Sequence, residues 1–215
     1  MKTTLSFSFL VLAAAGSMVA QDLSTVKLPP PYLANDKPFM QTLQQRRSSR
    51  DFSTEKLSRQ DLANVLWCAY GVNRPDTKHR TAPSAMNSQD IEVYAFLDDG
   101  IYLYDPWKHE LHMVVAGDHR GATGSQEFVA RAPLNLVYVS DFSRMKFGRD
   151  DSSKMWMASV GAGHCSQNVY LYGSAAGLNV VVRASFEQTA IAKLLSLGPV
   201  QHVLLAETVG HSSTN

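Results

Sequence analysis

The chain has 215 residues, of which 45% are hydrophobic and 18% charged, with 20 Lys and Arg against 19 Asp and Glu for a formal net charge of +1. That length and composition fit one globular domain able to bury a real core. The near-neutral balance excludes a broad basic footprint for nucleic acid, so any anion site must be a local cluster of arginines.

Residues 1–20 read as a secretory signal peptide: Lys2 is the positive end, Leu5 to Ala15 an apolar run, and small residues continue to Ala20 before Gln21. The run is short for a bilayer span, and no later stretch approaches about 20 uninterrupted apolar residues. The expectation is an exported protein, periplasmic or secreted, with no membrane anchor. No Cys follows the cleavage region, so the leader does not resemble that of a lipoprotein. Residues 21–36, with Pro29, Pro30 and Pro31, predict an extended N-terminal arm rather than a core element. Residues 37–215 are read as the single domain.

A first helix is expected from near Asn35 or Asp36, with Phe39, Met40 and Leu43 on one face, running into Arg46, Arg47, Ser48, Ser49 and Arg50. The second is better marked. Ser58 with Asp61 forms a capping box, Leu57 and Leu62 can staple it, and Gly71 stops a run of Leu62, Val65, Leu66 and Ala69. Ile91 to Leu97, Ile101 to Tyr104 and Leu111 to Val115 predict an antiparallel meander, with Asp99-Gly100 as a hairpin turn. Leu134 to Ser140 is nearly continuous in apolar β-formers, as a central strand covered on both faces would be. Ser152 to Ala176 is helical and mostly small or apolar, which predicts burial nearly all round before Gly177. Leu178 to Val182 reads as a strand, Ser185 with Gln188 as the cap of a helix to Leu197, and Val200 to Val209 as a closing strand. Helices mixed with hairpin strands give an α+β domain.

Several familiar patterns carry no chemistry here. His109 and His112 are i and i+3 in an expected strand, where they would face opposite sides, so no metal site is expected. Gly161-Ala162-Gly163 lacks both the third glycine and the preceding strand of a dinucleotide turn. Ser174 is misplaced for a nucleophile elbow, and His164 on the apolar helix reads as a hydrogen-bonded core histidine. Cys68 and Cys165 make no zinc site; an oxidising compartment permits one disulfide, but two buried small hydrophobes in helices is the favoured reading.

Arg46, Arg47 and Arg50 place three guanidinium groups within five residues, with Ser48 among them, and guanidinium forks match phosphate oxygens bidentately. Taken alone, a solvated surface explains the cluster as well. Four further segments follow in order: Pro83-Ser84-Ala85-Met86-Asn87-Ser88-Gln89, Gln167-Asn168-Val169-Tyr170-Leu171 with Gly177-Leu178, Val181-Val182-Arg183-Ala184-Ser185-Phe186, and Thr208-Val209-Gly210-His211. Together with Arg46 to Phe52 they resemble the nitroreductase family, over about residues 37–211. Met86 and the Arg74 to Arg80 stretch are similar to a branch of small members like the peptide-azoline oxidases.

The resemblance implies an α+β fold with a mixed, largely antiparallel sheet flanked by helices, in an intertwined homodimer holding one FMN in each of two interface clefts. It assigns Arg46, Arg47 and Ser48 to the phosphate and ribityl end and Arg50 to the pyrimidine edge. Pro83, Ser84, Ala85 and Asn87 would line the isoalloxazine from the other subunit. Ala184 would turn its backbone N–H to flavin N5, with Arg183 and Ser185 beside it also at the cofactor and no side chain acting as catalyst. A donor at N5 and positive charge near N1 favour reduced flavin, and Ser185 as a helix cap would add partial positive charge. The better-known relatives continue past the last strand with further basic residues on the phosphate, which this sequence does not supply, so the expectation is either weaker hold on FMN or substitution by other residues such as Arg80. Three activities follow: a reductase of quinones, nitroaromatics or similar acceptors, an FMN-dependent dehydrogenase of azoline-oxidase type, or a flavin-binding protein without turnover. An exported reductase would need a donor other than cytoplasmic NAD(P)H.

Overall fold

The structure is a computed structural model that describes residues 24–34, 37–148 and 150–214. The expected signal peptide lies outside them, as do Asn35 and Asp36, the expected start of the first helix. In chain order the elements are β1 (Thr25–Lys27), α1 (Phe39–Gln45), α2 (Arg59–Tyr70), β2 (Val72–Arg74), β3 (His79–Arg80), β4 (Ile91–Phe96), β5 (Gly100–Asp105), β6 (Glu110–Ala116), β7 (Leu134–Asp141), α3 (Asp151–Ala176), β8 (Asn179–Arg183), α4 (Gln188–Leu194) and β9 (Gln201–Gly210). The α+β class is as expected. Seven strands form one sheet in the order β1-β6-β5-β4-β7-β9-β8. Every neighbouring pair is antiparallel.

The meander forms as its residues predict, with Leu97 N donating to Gly100 O at 2.9 Å to close the β4–β5 hairpin. β7 lies between β4 and β9, and Leu134 to Ser140 are all buried, which is why that run lacks the polar alternation of a half-exposed strand. The N-terminal arm is a correction. Thr25, Val26 and Lys27 pair with His112, Leu111 and Glu110, so part of the arm is the edge strand of the main sheet. Val26 packs on the core, and the prolines that suggested a surface strap come only after this strand.

In α2 the Ser58 hydroxyl oxygen accepts from Asp61 N at 3.0 Å and its O–H donates to the Asp61 carboxylate at 2.6 Å. Ser58→Ala should therefore cost about 1 kcal/mol in urea denaturation, the usual loss for an N-cap. An unchanged midpoint would show the cap to be dispensable.

Only one face of α3 is buried: Ala158, Gly161, Ala162, Cys165, Ser166, Val169, Tyr170 and Gly173 follow the 3–4 spacing that meets the sheet. Trp156, Val160, Gly163, His164 and Gln167 form an exposed opposite face. The expected all-round burial and the core position of His164 therefore do not hold within one chain, because the sheet supplies a layer on one side of the helix only. At Gly173 an added Cβ would come within 2.4 Å of Val180 Cγ2, so glycine lets α3 approach β8. Cys165 is buried in α3 and Cys68 half-buried in α2, and both are free thiols. Burial pushes the Cys68 thiol up to about 12 and raises that of Cys165, so neither is an activated nucleophile.

Candidate functional site

α1 ends at Arg46, whose ψ of 122° takes the chain out of the helix and along the open edge of β8. Ser49 N donates to Val180 O at 3.0 Å, Asn179 Nδ2 donates to Asp51 O at 2.6 Å, and Ser53 N donates to His211 O at 2.9 Å. α1 begins at Phe39 rather than near Asn35, and it turns Phe39, Met40 and Leu43 outward while burying Thr42.

One tyrosine joins the parts. Tyr170 reaches from α3 so that its hydroxyl accepts from Val182 N at 2.9 Å and lies 2.8 Å from Ser48 Oγ, while the Arg46 guanidinium sits 5.2 Å over its ring. Arg46 and Arg47 line a cavity of about 540 Å³ with Lys37, Gln44 and the last turn of α3, and no acidic side chain lines it. Lys37 Nζ donates to Ser174 O at 2.5 Å, and cations suit the carbonyl end of a helix. In the sequence Tyr170 stands out only within a family segment, with no role of its own, and Lys37 is not singled out. A tyrosine on an otherwise small-residue helix face was the available signal for the first.

Arg47, Ser48 and Arg50 are exposed beside Arg46, as a ligand-facing cluster requires. Pro83, Ser84, Ala85 and Asn87 stand elsewhere, on the loop between β3 and β4, and none of them lines the Arg46 cavity. Met86, Asn87 and Gln89 hold φ of 51°, 52° and 50°. Three left-handed non-glycine residues so close together are a costly backbone, sustained here by Gln89 N donating to Ser84 Oγ and Gln89 Nε2 donating to Asn87 Oδ1.

Ala184 and Ser185 are exposed at the end of β8, but two expectations about this segment are corrected. First, α4 starts at Gln188 with Glu187 as its N-cap and no side-chain cap, so Ser185 is not a helix cap. Phe186 packs against the core around Ile191 and Val203, between Ser185 and the start of α4. Second, Arg183 is buried on the wrong face. Alternate β8 residues point to opposite sides of the sheet: Val180 and Val182 pack toward α3 and Tyr170, whereas Val181 and Arg183 point away. The Arg183 guanidinium donates to Asn135 Oδ1 at 3.0 Å, to Thr208 Oγ1 at 2.8 Å and to Thr123 O. It braces β7, β8 and β9 rather than lining the edge. Burial lowers its pKa to about 10, which leaves it charged at neutral pH.

The α3 face of the same sheet holds a second buried group. Glu207 is fully buried, and the Tyr138 and Ser166 hydroxyls donate to its two oxygens at 2.5 and 2.8 Å. Desolvation raises its pKa to about 8, against the lowering effect of those hydrogen bonds and of Arg183. His109 is in a turn with φ 52°, held by Tyr104 and Pro29, while His112 pairs with Glu110 at 3.2 Å. Asp105, Glu110 and His112 gather within 4.8 Å, but Lys108 already shares Glu110. Among the described residues no helix is long and apolar enough to cross a membrane.

Residues 43–211 match the sequence profile of the Nitroreductase family. A protein of Methanocaldococcus jannaschii named as a nitroreductase is 29% identical over 175 residues, covering 77% of this chain and 86% of its own. The crystal structure of a protein of Ralstonia eutropha JMP134 described in the same way is 36% identical, with a TM-score of 0.82 over 89% of this chain and 90% of that one. A third, from Desulfovibrio desulfuricans and crystallised with FMN, is 21% identical with a TM-score of 0.59 over 83% of this chain and 88% of that one, a likeness of fold. The profile runs from the helix before the arginines to the end of the last strand, and the fold is shared with a chain 36% identical to this one: this chain belongs to the nitroreductase family.

Proposed function

We propose that this protein, an FMN-dependent oxidoreductase by family, takes two electrons from a donor and delivers them to a quinone, nitroaromatic or similar small acceptor. The observation that supports this reading is the built edge of β8, with a cation-lined cavity at one end and exposed main chain at the other. The residues fit FMN. Arg46 and Arg47 offer guanidinium groups beside a cavity without acids, and Ser48 is positioned by Tyr170. By the period of two along a strand, Ala184 continues the outward side on which Val182 N–H points. Bound FMN supplies the two-electron chemistry. In this reading Arg46, Arg47 and Ser48 hold its phosphate and ribityl end, Arg50 its pyrimidine edge, and Ala184 N–H the N5 side.

Pro83, Ser84, Ala85 and Asn87 then come from the second subunit of an intertwined homodimer. Phe39, Met40, Leu43, Met86, Trp156 and Val160 are exposed apolar side chains that a second subunit would cover. Export through the leader accompanies this proposal, with a donor other than NAD(P)H.

The test is the visible spectrum of the purified protein, followed by titration with FMN and riboflavin. FMN should bind more tightly, and Arg46→Ala should weaken it by about 1.5–3 kcal/mol, the range for hydrogen bonds to charged groups. Equal affinity for riboflavin would remove the phosphate assignment. Anaerobically, the reduced protein should be reoxidised by a quinone or nitroaromatic; reduction only by an organic substrate of its own would replace the reductase with a dehydrogenase.

A further inference from the structure

A second cavity, of about 290 Å³, lies under the β5–β6 turn and shares no lining residue with the Arg46 cavity. Its walls include Tyr70, Arg80, Leu103, Tyr104, Asp105 and Trp107. At about 30 Å³ per water-sized group, it has room for about ten.

Arg80 is the unusual member. It is only 9% exposed, its Nε donates to Gln89 Oε1 at 3.0 Å, and its guanidinium carbon lies 4.9 Å from the Trp107 ring centre and 5.5 Å from that of Tyr70. Its Nη1 is buried with no hydrogen-bond partner, and among the described residues no carboxylate lies within 4.0 Å of it. Arg144, the other arginine at this cavity, is already engaged by Glu92 and Asp141. The Tyr70 hydroxyl is also buried, facing Ser84 without a well-formed hydrogen bond. A buried guanidinium is ordinarily paired, because desolvating a charge without a partner is costly. Arg80 therefore has no anion in direct contact, Asp105 at the same cavity acting on it only from beyond 4.0 Å, and the Tyr70 hydroxyl is a second donor at the cavity wall.

The walls narrow the kind of anion. Tyr104, Trp107 and Leu103 offer flat and apolar surface, and Trp107 is half exposed over Arg80, on a turn held by Asp105 accepting from Trp107 N and Lys108 N. Asp105 and Glu92 stand at the same cavity and would repel a second negative charge. We infer that this cavity is a ligand site separate from the β8 edge and takes a small monocarboxylate with a flat apolar body, its carboxylate on Arg80 and the Tyr70 hydroxyl, with Trp107 as the movable cover. It is independent of what the flavin edge reduces.

Calorimetry on the full-length mature protein saturated with FMN tests this, with benzoate as the probe, benzamide as its neutral counterpart and succinate as a dianion. Benzoate should bind saturably and change tryptophan fluorescence, and benzamide and succinate should bind at least tenfold more weakly. Arg80→Gln should weaken benzoate at least tenfold. Because that variant removes a buried side chain and could fail to fold, Asp105→Asn serves as the second: its amide oxygen can still hold the turn, and it should tighten benzoate and admit succinate. No saturable benzoate binding up to about 10 mM, far weaker than an ordinary specific site, would overturn the assignment and point to a partner subunit's side chain as the anion. Equal binding of benzamide would overturn it too, as would a folded Arg80→Gln protein, or Asp105→Asn, with wild-type affinities.

Discussion

Arg183→Met is expected to melt roughly 6–12 °C below the wild type while keeping its flavin. The side chain donates to three acceptors across two neighbouring strands and the preceding loop, and methionine can donate to none of them. Asn135 is fully buried, so its carbonyl would lose a donor that water cannot replace. A loss of about 3 kcal/mol follows from hydrogen bonds to a charged donor, offset by relief of the guanidinium's own desolvation. In a domain of this size each kcal/mol moves the melting temperature by about 2–4 °C. The neighbouring turn is built for this arginine: a Cβ on Gly124 would come within 2.2 Å of its Nη1. A variant with wild-type melting and a shifted flavin midpoint potential would instead place Arg183 at the flavin, as the family resemblance implies.

The second large effect is a pH dependence set by Glu207. Its carboxyl has a folded-state pKa raised from 4.5 to about 8, chiefly by desolvation. A raised pKa means that the folded protein keeps this proton over a range in which the unfolded chain has lost it. The stabilisation is therefore complete below 4.5, is lost as pH rises between 4.5 and 8, and is gone above. Within that window stability should fall by roughly 1 kcal/mol per pH unit from this group, by the same linkage. Glu207→Gln keeps the shape and cannot ionise, so its urea midpoint should lose that slope and exceed the wild type at pH 8. Parallel profiles for the two proteins would show that Glu207 does not titrate in the window. The Tyr138 and Ser166 hydroxyls that hold it are buried with it, so the effect belongs to the core rather than to the flavin edge.

Both groups show why one part of the sequence reading succeeded and another did not. Helix starts and stops at Ser58, Gly71 and Gly177 are local: a cap or a left-handed turn is satisfied by residues three or four positions away, so the pattern is written in neighbours. The same holds for the β4–β5 hairpin and for the unbroken apolar run of β7. The arginines were legible as a cluster, but residue type and spacing alone left a solvated surface equally open, and it is the cavity lined by Arg46 and Arg47 that gives them a common space. Arg183 was misplaced because sequence order put it beside Ala184, whereas strand alternation and the polar groups of β7 and β9 decide which face it enters.

What the sequence by itself determined is the α+β class, most element boundaries, the family and the Arg46 to Arg50 cluster. Only the tertiary structure decided that residues 25–27 close the sheet edge, that α3 buries one face and exposes the other, and that Tyr170 joins Ser48 to the β8 edge. It also decided that Arg80 and Glu207 are buried, one without an anion and the other without a cation in direct contact. The hydrogen bonds among them join residues from 12 to 122 positions apart. Burial and pairing are set by which surfaces fold against each other, and no local pattern of residues encodes the partner.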